Sequence, residues 1–187
     1  MKHSEFWQGQ LGLDNIKPKR IGDKWESYDT TTLIAELIGD DSVVDVGCGT
    51  GRLSQAFTPE QYIGVDVNQA AIDISRKENP DYQFEALEEY SKIPKQDVML
   101  LHSVALHIPD EEIGNLFAQA RKRIILAETM GARGKRQDGK DKLAFHYART
   151  ADEYTKLLPS WKLVKNFIKQ DSNSGKQFTY MEFEKEQ

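Results

Sequence analysis

A short β-branched run leads straight into a glycine-spaced turn: Val43-Val44-Asp45-Val46-Gly47-Cys48-Gly49-Thr50-Gly51-Arg52-Leu53. Glycine at alternate positions lets a backbone turn tightly and come close to a ligand. A helix starting behind such a turn presents free N–H groups. The pattern predicts strand Ser42 to Val46, the turn, then a helix over Arg52 to Phe57. That order is a buried strand running straight into a glycine turn and then a helix.

The rest of the chain repeats the unit. Tyr62 to Val67 reads as a strand, and Asn68 caps a helix through about Lys77. Tyr82 to Ala86 is a weaker strand and Asp97 to His102 a strong one. Pro109 and Asp110 open a helix with an acidic first turn, suited to the helix dipole, and its core face is Ile113, Leu116, Phe117 and Ala120. Arg123 to Glu128 is the next strand. Upstream, Asp29 is the expected cap of a helix through Ile38 that Gly39 stops. Strands spaced by helices argue for a parallel sheet. The end differs: a helix over Ala151 to Leu158, then strands Trp161 to Lys169 and Gln177 to Glu184 joined around residues 171–175, a hairpin signal. The expectation is α/β: three layers, seven strands, mostly parallel, with a C-terminal antiparallel hairpin and helices on both faces.

Length and charge narrow the rest. A chain of 187 residues fits one domain, expected as an N-terminal helical cover (1–40), a ligand-binding core (41–129) and an acceptor-side loop, helix and hairpin (130–187). The net charge of −5 lacks the global basic footprint of a nucleic-acid binder. Cys48 is the single cysteine, which excludes an internal disulfide framework and a multi-cysteine zinc site. No metal site is expected. With no 18-residue apolar run and no apolar signal core at the N-terminus, the expectation is a cytoplasmic protein without a membrane partner.

Three ligands compete for the glycine loop. A dinucleotide fingerprint needs its third glycine at position 52, which holds Arg52. A phosphate-binding P-loop needs Gly-Lys-Ser/Thr, which is absent. The third candidate is S-adenosylmethionine (SAM), which has no pyrophosphate. It needs the loop to wrap an adenosine and a sulfonium-bearing amino acid. Asp66 ends the second strand 19 residues after Gly47, where an acid is placed for ribose hydroxyls. An unliganded βα turn is the plain alternative.

Over residues 40–129 the sequence resembles the class I, Rossmann-like SAM-dependent methyltransferases, in their small-molecule branch. The matching runs are Val-Val-Asp-Val-Gly-Cys-Gly-Thr-Gly, Tyr-Ile-Gly-Val-Asp-Val-Asn, and the segment from Asp97 through His102-Ser103-Val104 to Glu112. The resemblance implies a sheet whose last strand is inserted antiparallel, SAM as cofactor and S-adenosylhomocysteine (SAH) as product. It implies cofactor contacts from Asp45, Gly47, Cys48, Gly49, Thr50, Gly51, Asp66, Val67, His102 and Ser103. The family commonly has an acid that meets the adenine amino group after the third strand. Here Leu87 falls near that place, so backbone contact from Ala86 or Leu87 is expected, with Glu88 adjacent. Cys48 reads as a small loop-filling residue; the competing reading is a thiol activated at a helix N-terminus.

Methyl transfer needs an acceptor held in line with the methyl, and a base where the acceptor carries a proton. His102 and His146 are the candidate catalytic residues by position, His102 at the carboxyl end of a strand and His146 in Phe145-His146-Tyr147-Ala148-Arg149. Tyr147, Arg149 and Arg133 are candidate acceptor contacts, and Glu128 also ends a strand on that rim. His107 reads as packing. The segment from Met130 to Lys142 is locally basic, as a lid attracting an anionic acceptor, an RNA contact, or a solvated loop. The Asn/Asp-Pro-Pro-Tyr/Phe signature of base-amine methylation is absent, since His102-Ser103-Val104-Ala105 stands there. The expected function is methyl transfer to a small molecule, with anionic acceptors among the candidates. The alternatives are a SAM-binding module without turnover, an RNA methyltransferase, and an NAD-linked oxidoreductase. Nothing in the sequence gives the oligomeric state.

Overall fold

The computed structural model describes residues 3–16, 20–21, 24–25, 30–129, 147, 149–171 and 175–186. Helices α1 (His3–Gln8) and α2 (Gln10–Ile16) come first, then a two-residue ladder of β1 (Arg20–Ile21) and β2 (Lys24–Trp25). After α3 (Thr30–Ile38) the alternation is regular: β3 (Val43–Val46), β4 (Tyr62–Asp66), α4 (Gln69–Glu78), β5 (Gln83–Ala86), β6 (Val98–His102), α5 (Asp110–Phe117) and β7 (Arg123–Glu128). The chain closes with α6 (Ala151–Leu157), β8 (Trp161–Gln170) and β9 (Gln177–Lys185).

Seven strands form one sheet in the order β5-β4-β3-β6-β7-β9-β8. Pairs among β3 to β7 are parallel, whereas β7–β9 and β8–β9 are antiparallel. This is the expected seven-stranded α/β sheet. The order reverses at β3, so the loops after β3 and β6 flank a topological switch point, where open α/β sheets bind ligands. Both faces are covered: Met99, Leu101, Ile113, Phe117 and Leu126 build one core, and Ile34, Val43, Leu100, Ile72 and Phe178 the other.

The central strands β3 and β6 are buried along their whole length, as continuous apolar runs in a parallel sheet require. At the amino end of the sheet Arg123 binds the last carbonyls of α3. Its Nη1 donates to Leu37 O (2.9 Å) and its Nη2 to Ile38 O (2.9 Å), with Glu182 and Asp41 as carboxylate partners at 2.7 and 2.6 Å.

One expected element differs. Instead of a helix over Arg52 to Phe57 there is a single 3₁₀ turn, Ser54–Ala56, followed by extended backbone at Phe57 (φ −128°, ψ 166°). Pro59 disfavours helical geometry at Thr58, and Leu53 and Phe57 are both drawn into the core, so the segment has room for one turn.

Candidate functional site

The glycine loop is fastened to its neighbour strand: the N–H groups of Gly47 and Cys48 both donate to Val65 O, at 2.8 and 3.1 Å. Gly47 has φ +74°, and a Cβ there would lie 2.5 Å from Val104 Cγ2. Gly49 has φ +58°, and its Cβ would lie 2.6 Å from Ile16 Cγ2. A Cβ on Gly51 would meet Phe84 Cζ at 2.7 Å. The three glycines thus face three different bodies: the turn after β6, the end of α2, and β5. Thr50 and Cys48 are buried between them. Burial and the nearby carboxylates push the Cys48 thiol well above its usual range, which opposes an activated thiolate.

Asp66 ends β4 with both carboxylate oxygens on backbone N–H groups. Oδ2 accepts from Gly49 at 2.9 Å and Oδ1 from Asn68 at 2.8 Å. Burial raises its pKa, opposed by the N–H groups of Asn68, Gly49 and Val67. Beside it Val67, Ala86 and Leu87 are half-buried and Glu88 is exposed. Leu87 N–H donates to Asp66 O at 2.9 Å. Asp45 is buried, and the Tyr62 hydroxyl donates to its Oδ2 at 2.7 Å. Desolvation lifts its carboxyl to about 6, against the Tyr62 bond and the Arg52 charge.

Asn68 has a second role that the sequence reading missed. Its Oδ1 accepts from Ala71 N–H and caps α4, while its Nδ2 donates to Trp7 O (2.7 Å) and Gly9 O (3.2 Å). The α1–α2 pair is thereby held beside the loop, with Ile16 over Gly49 and the Trp7 ring 4.6 Å from the His107 ring.

His102 ends β6 and its ring tilts against Phe178 at 5.1 Å. Burial, with the Arg52 charge, lowers its pKa to about 3. A neutral imidazole of such low basicity has little driving force to take a proton at neutral pH. Ser103 follows in a left-handed conformation, φ +58°. Tyr147 is half-buried and its N–H donates to Leu106 O at 2.6 Å. Arg149 is buried, and its guanidinium binds Ala105 O, Ile108 O and Asp110. Its donors are engaged by the protein's own carbonyls and the Asp110 carboxylate, in place of the acceptor contact expected from sequence. His146 and Arg133 lie outside the described residues.

The chemistry of this rim is that of a cradle: backbone N–H groups, a buried carboxylate at the end of β4, small apolar walls and a neutral histidine. Residues 43–124 match a family model described as a methyltransferase domain. A search of curated proteins gives no match. The structure is similar to magnesium protoporphyrin IX methyltransferase from Synechocystis PCC 6803 with bound SAH (17% identity, 97% of each chain, TM-score 0.73). It is also similar to 1,6-didemethyltoxoflavin-N1-methyltransferase from Burkholderia thailandensis (19% identity, 85% of this chain and 78% of that one, TM-score 0.66). A third similar structure is a SAM-dependent methyltransferase from Anabaena variabilis (17% identity, 99% and 96%, TM-score 0.69). At such identities the likenesses bear on the fold.

Proposed function

We propose that the chain, whose residues 43–124 match a methyltransferase-domain model, is a class I SAM-dependent methyltransferase that transfers a methyl group from SAM to a small-molecule acceptor by in-line displacement, releasing SAH. The observation that carries this reading is the Gly49–Asp66 pairing. A carboxylate at the end of β4 lies against the N–H of a positive-φ loop residue, at the switch point of the sheet. The donor set suits SAM. Asp66 offers acceptor oxygens for two ribose hydroxyls, Val67 and Leu87 offer apolar contact for a purine, and Ala86 and Leu87 offer backbone atoms at its edge. Asp45 lies toward the amino end, and Gly47, Cys48, Thr50 and Gly51 shape the loop. When bound, SAM supplies a methyl already activated by its sulfonium.

What the protein adds is placement. His102 and Ser103 border the methionine side; with its basicity suppressed, His102 acts as a neutral wall and hydrogen-bonding group. The α1–α2 pair is the cover: Asn68 holds it, and Ile16 closes over Gly49. Excluding water there strengthens every polar contact beneath. Acceptor contacts come from this cover, from Tyr147, and from the 130–146 segment with Arg133 and His146.

The test is transfer of labelled methyl from SAM to fractionated small-molecule and RNA pools. Label in a small-molecule fraction supports the reading. Label in RNA alone overturns the acceptor class, and tight SAM binding with no transfer to any pool identifies a binding module.

A further inference from the structure

The turn after β6 is gripped at both ends by side chains from elsewhere in the chain. Glu128, the last residue of β7, is buried, and its Oε1 accepts the N–H groups of Ala105 (2.9 Å) and Val104 (3.2 Å). The Leu106 N–H bears on the same carboxyl. These groups open the 3₁₀ turn Ala105–His107, which has no side-chain cap from its own N-cap residue. They would otherwise be buried donors without partners. At the other end Arg149, from just before α6, takes the carbonyls. Its Nη1 donates to Ala105 O (2.8 Å), its Nη2 to Ile108 O (2.6 Å), and its Nε to Asp110 Oδ1 (2.7 Å). An acid meets the N–H end and a cation the carbonyl end.

What this turn carries belongs to the site. Val104 packs its Cγ atoms against Gly47, close enough that a Cβ there would clash. His107 lies against Trp7 of the cover. Ser103, leading into the turn, holds a left-handed conformation that persists only where the surroundings over-determine it.

We propose that Glu128 and Arg149 are positioning residues for the cofactor, acting through the 103–108 turn to set Val104 as the wall behind Gly47. The inference rests on the reading of the glycine loop as a SAM site. Neither side chain needs to touch the cofactor. Loosening either end of the turn lets Val104 withdraw from Gly47, and the loop loses the surface that fixes its shape.

The experiment is calorimetric titration of SAH into wild type, E128A, E128Q and R149K, well below the melting temperature of each, with amide hydrogen exchange at Val104 and Ala105. In E128A both amides should exchange faster, and SAH should bind roughly tenfold more weakly, the scale of one unsatisfied buried donor. E128Q keeps an acceptor oxygen and should restore slow exchange and most of the affinity. R149K keeps the charge without the fork and should weaken binding. E128A or R149K that melt lower yet bind SAH as wild type does would overturn the proposal, as would E128Q no better than E128A. If E128A does not fold, E128Q and R149K decide by the same criteria. Wild type that binds no SAH refutes the cofactor reading itself, and this inference with it.

Discussion

Replacing Glu128 by Gln should flatten a slope in the protein's stability against pH. Burial raises the Glu128 carboxyl from 4.5 to about 8, and the N–H groups of Ala105, Val104 and Leu106 only partly offset this. An acid with a raised native pKa binds its proton in the folded state and not in the unfolded one between those values. Its contribution to stability is therefore complete below pH 4.5 and is lost as pH rises through 8. Three other buried groups overlap the lower part of this window, among them Asp66, whose carboxyl burial also raises. Asp45, raised from 3.8 to about 6, and Asp66 act in the same direction. His102, lowered from 6.5 to about 3, acts in the opposite one, adding stability as pH rises. Above pH 6.5 Glu128 dominates. Integrating one proton over pH 6.5 to 8 gives a loss of about 1.5 kcal/mol. For a chain this size that is a drop of roughly 3–6 °C in Tm. Thermal melts by circular dichroism at pH 6.5, 7, 7.5 and 8 measure it. Wild type should lose that amount of stability relative to E128Q across the series. Parallel curves would show that Glu128 is ionised in the native state and refute the reasoning.

Other consequences are smaller in scope. Gly47→Ala places a side chain at φ +74° and 2.5 Å from Val104 Cγ2; SAH affinity should fall at least tenfold by calorimetry. Arg123→Ala removes bonds to two α3 carbonyls and to Asp41 and Glu182. It should cost about 2–3 kcal/mol in chemical denaturation while leaving SAH affinity within twofold, because it lies at the opposite end of the sheet. Asn68→Ala removes an N-cap, worth about 1 kcal/mol, and both bonds to the cover. Amide exchange in residues 3–16 should quicken more than in α4.

Much of this was legible because it is local. The run from Val43 to Gly51 marks strand and turn by composition alone, and Asn68 declares its cap three residues before Ala71. Asp66 is found by counting from the loop. What escaped depends on register or distance. Tyr62 reaches Asp45 across 17 residues only because Val43 and Tyr62 are set opposite each other in the parallel ladder. Arg149 reads as an acceptor contact when it is seen as an arginine at a helix start near a basic stretch. Its real partners are carbonyls some 40 residues away that only folding brings within reach. Glu128 stood out as an acid at a strand end. Its capping of Val104 and Ala105 requires knowing that the chain after His102 turns back across β7. The helix over Arg52 to Phe57 failed for the converse reason: apolar spacing suggested it, and the pull of Leu53 and Phe57 into the core, with Pro59 behind, limited it to a turn.

In the proposed function the glycine loop and Asp66 make the SAM site. Its most direct test is calorimetric titration of SAM, SAH and NAD into wild type and Asp66→Ala. SAM and SAH should bind at micromolar concentration and NAD should not bind, and affinity should fall at least tenfold in the variant, whose Gly49 and Asn68 amides lose their acceptor. A folded wild type that binds neither SAM nor SAH, or that binds NAD in their place, would contradict the proposed function.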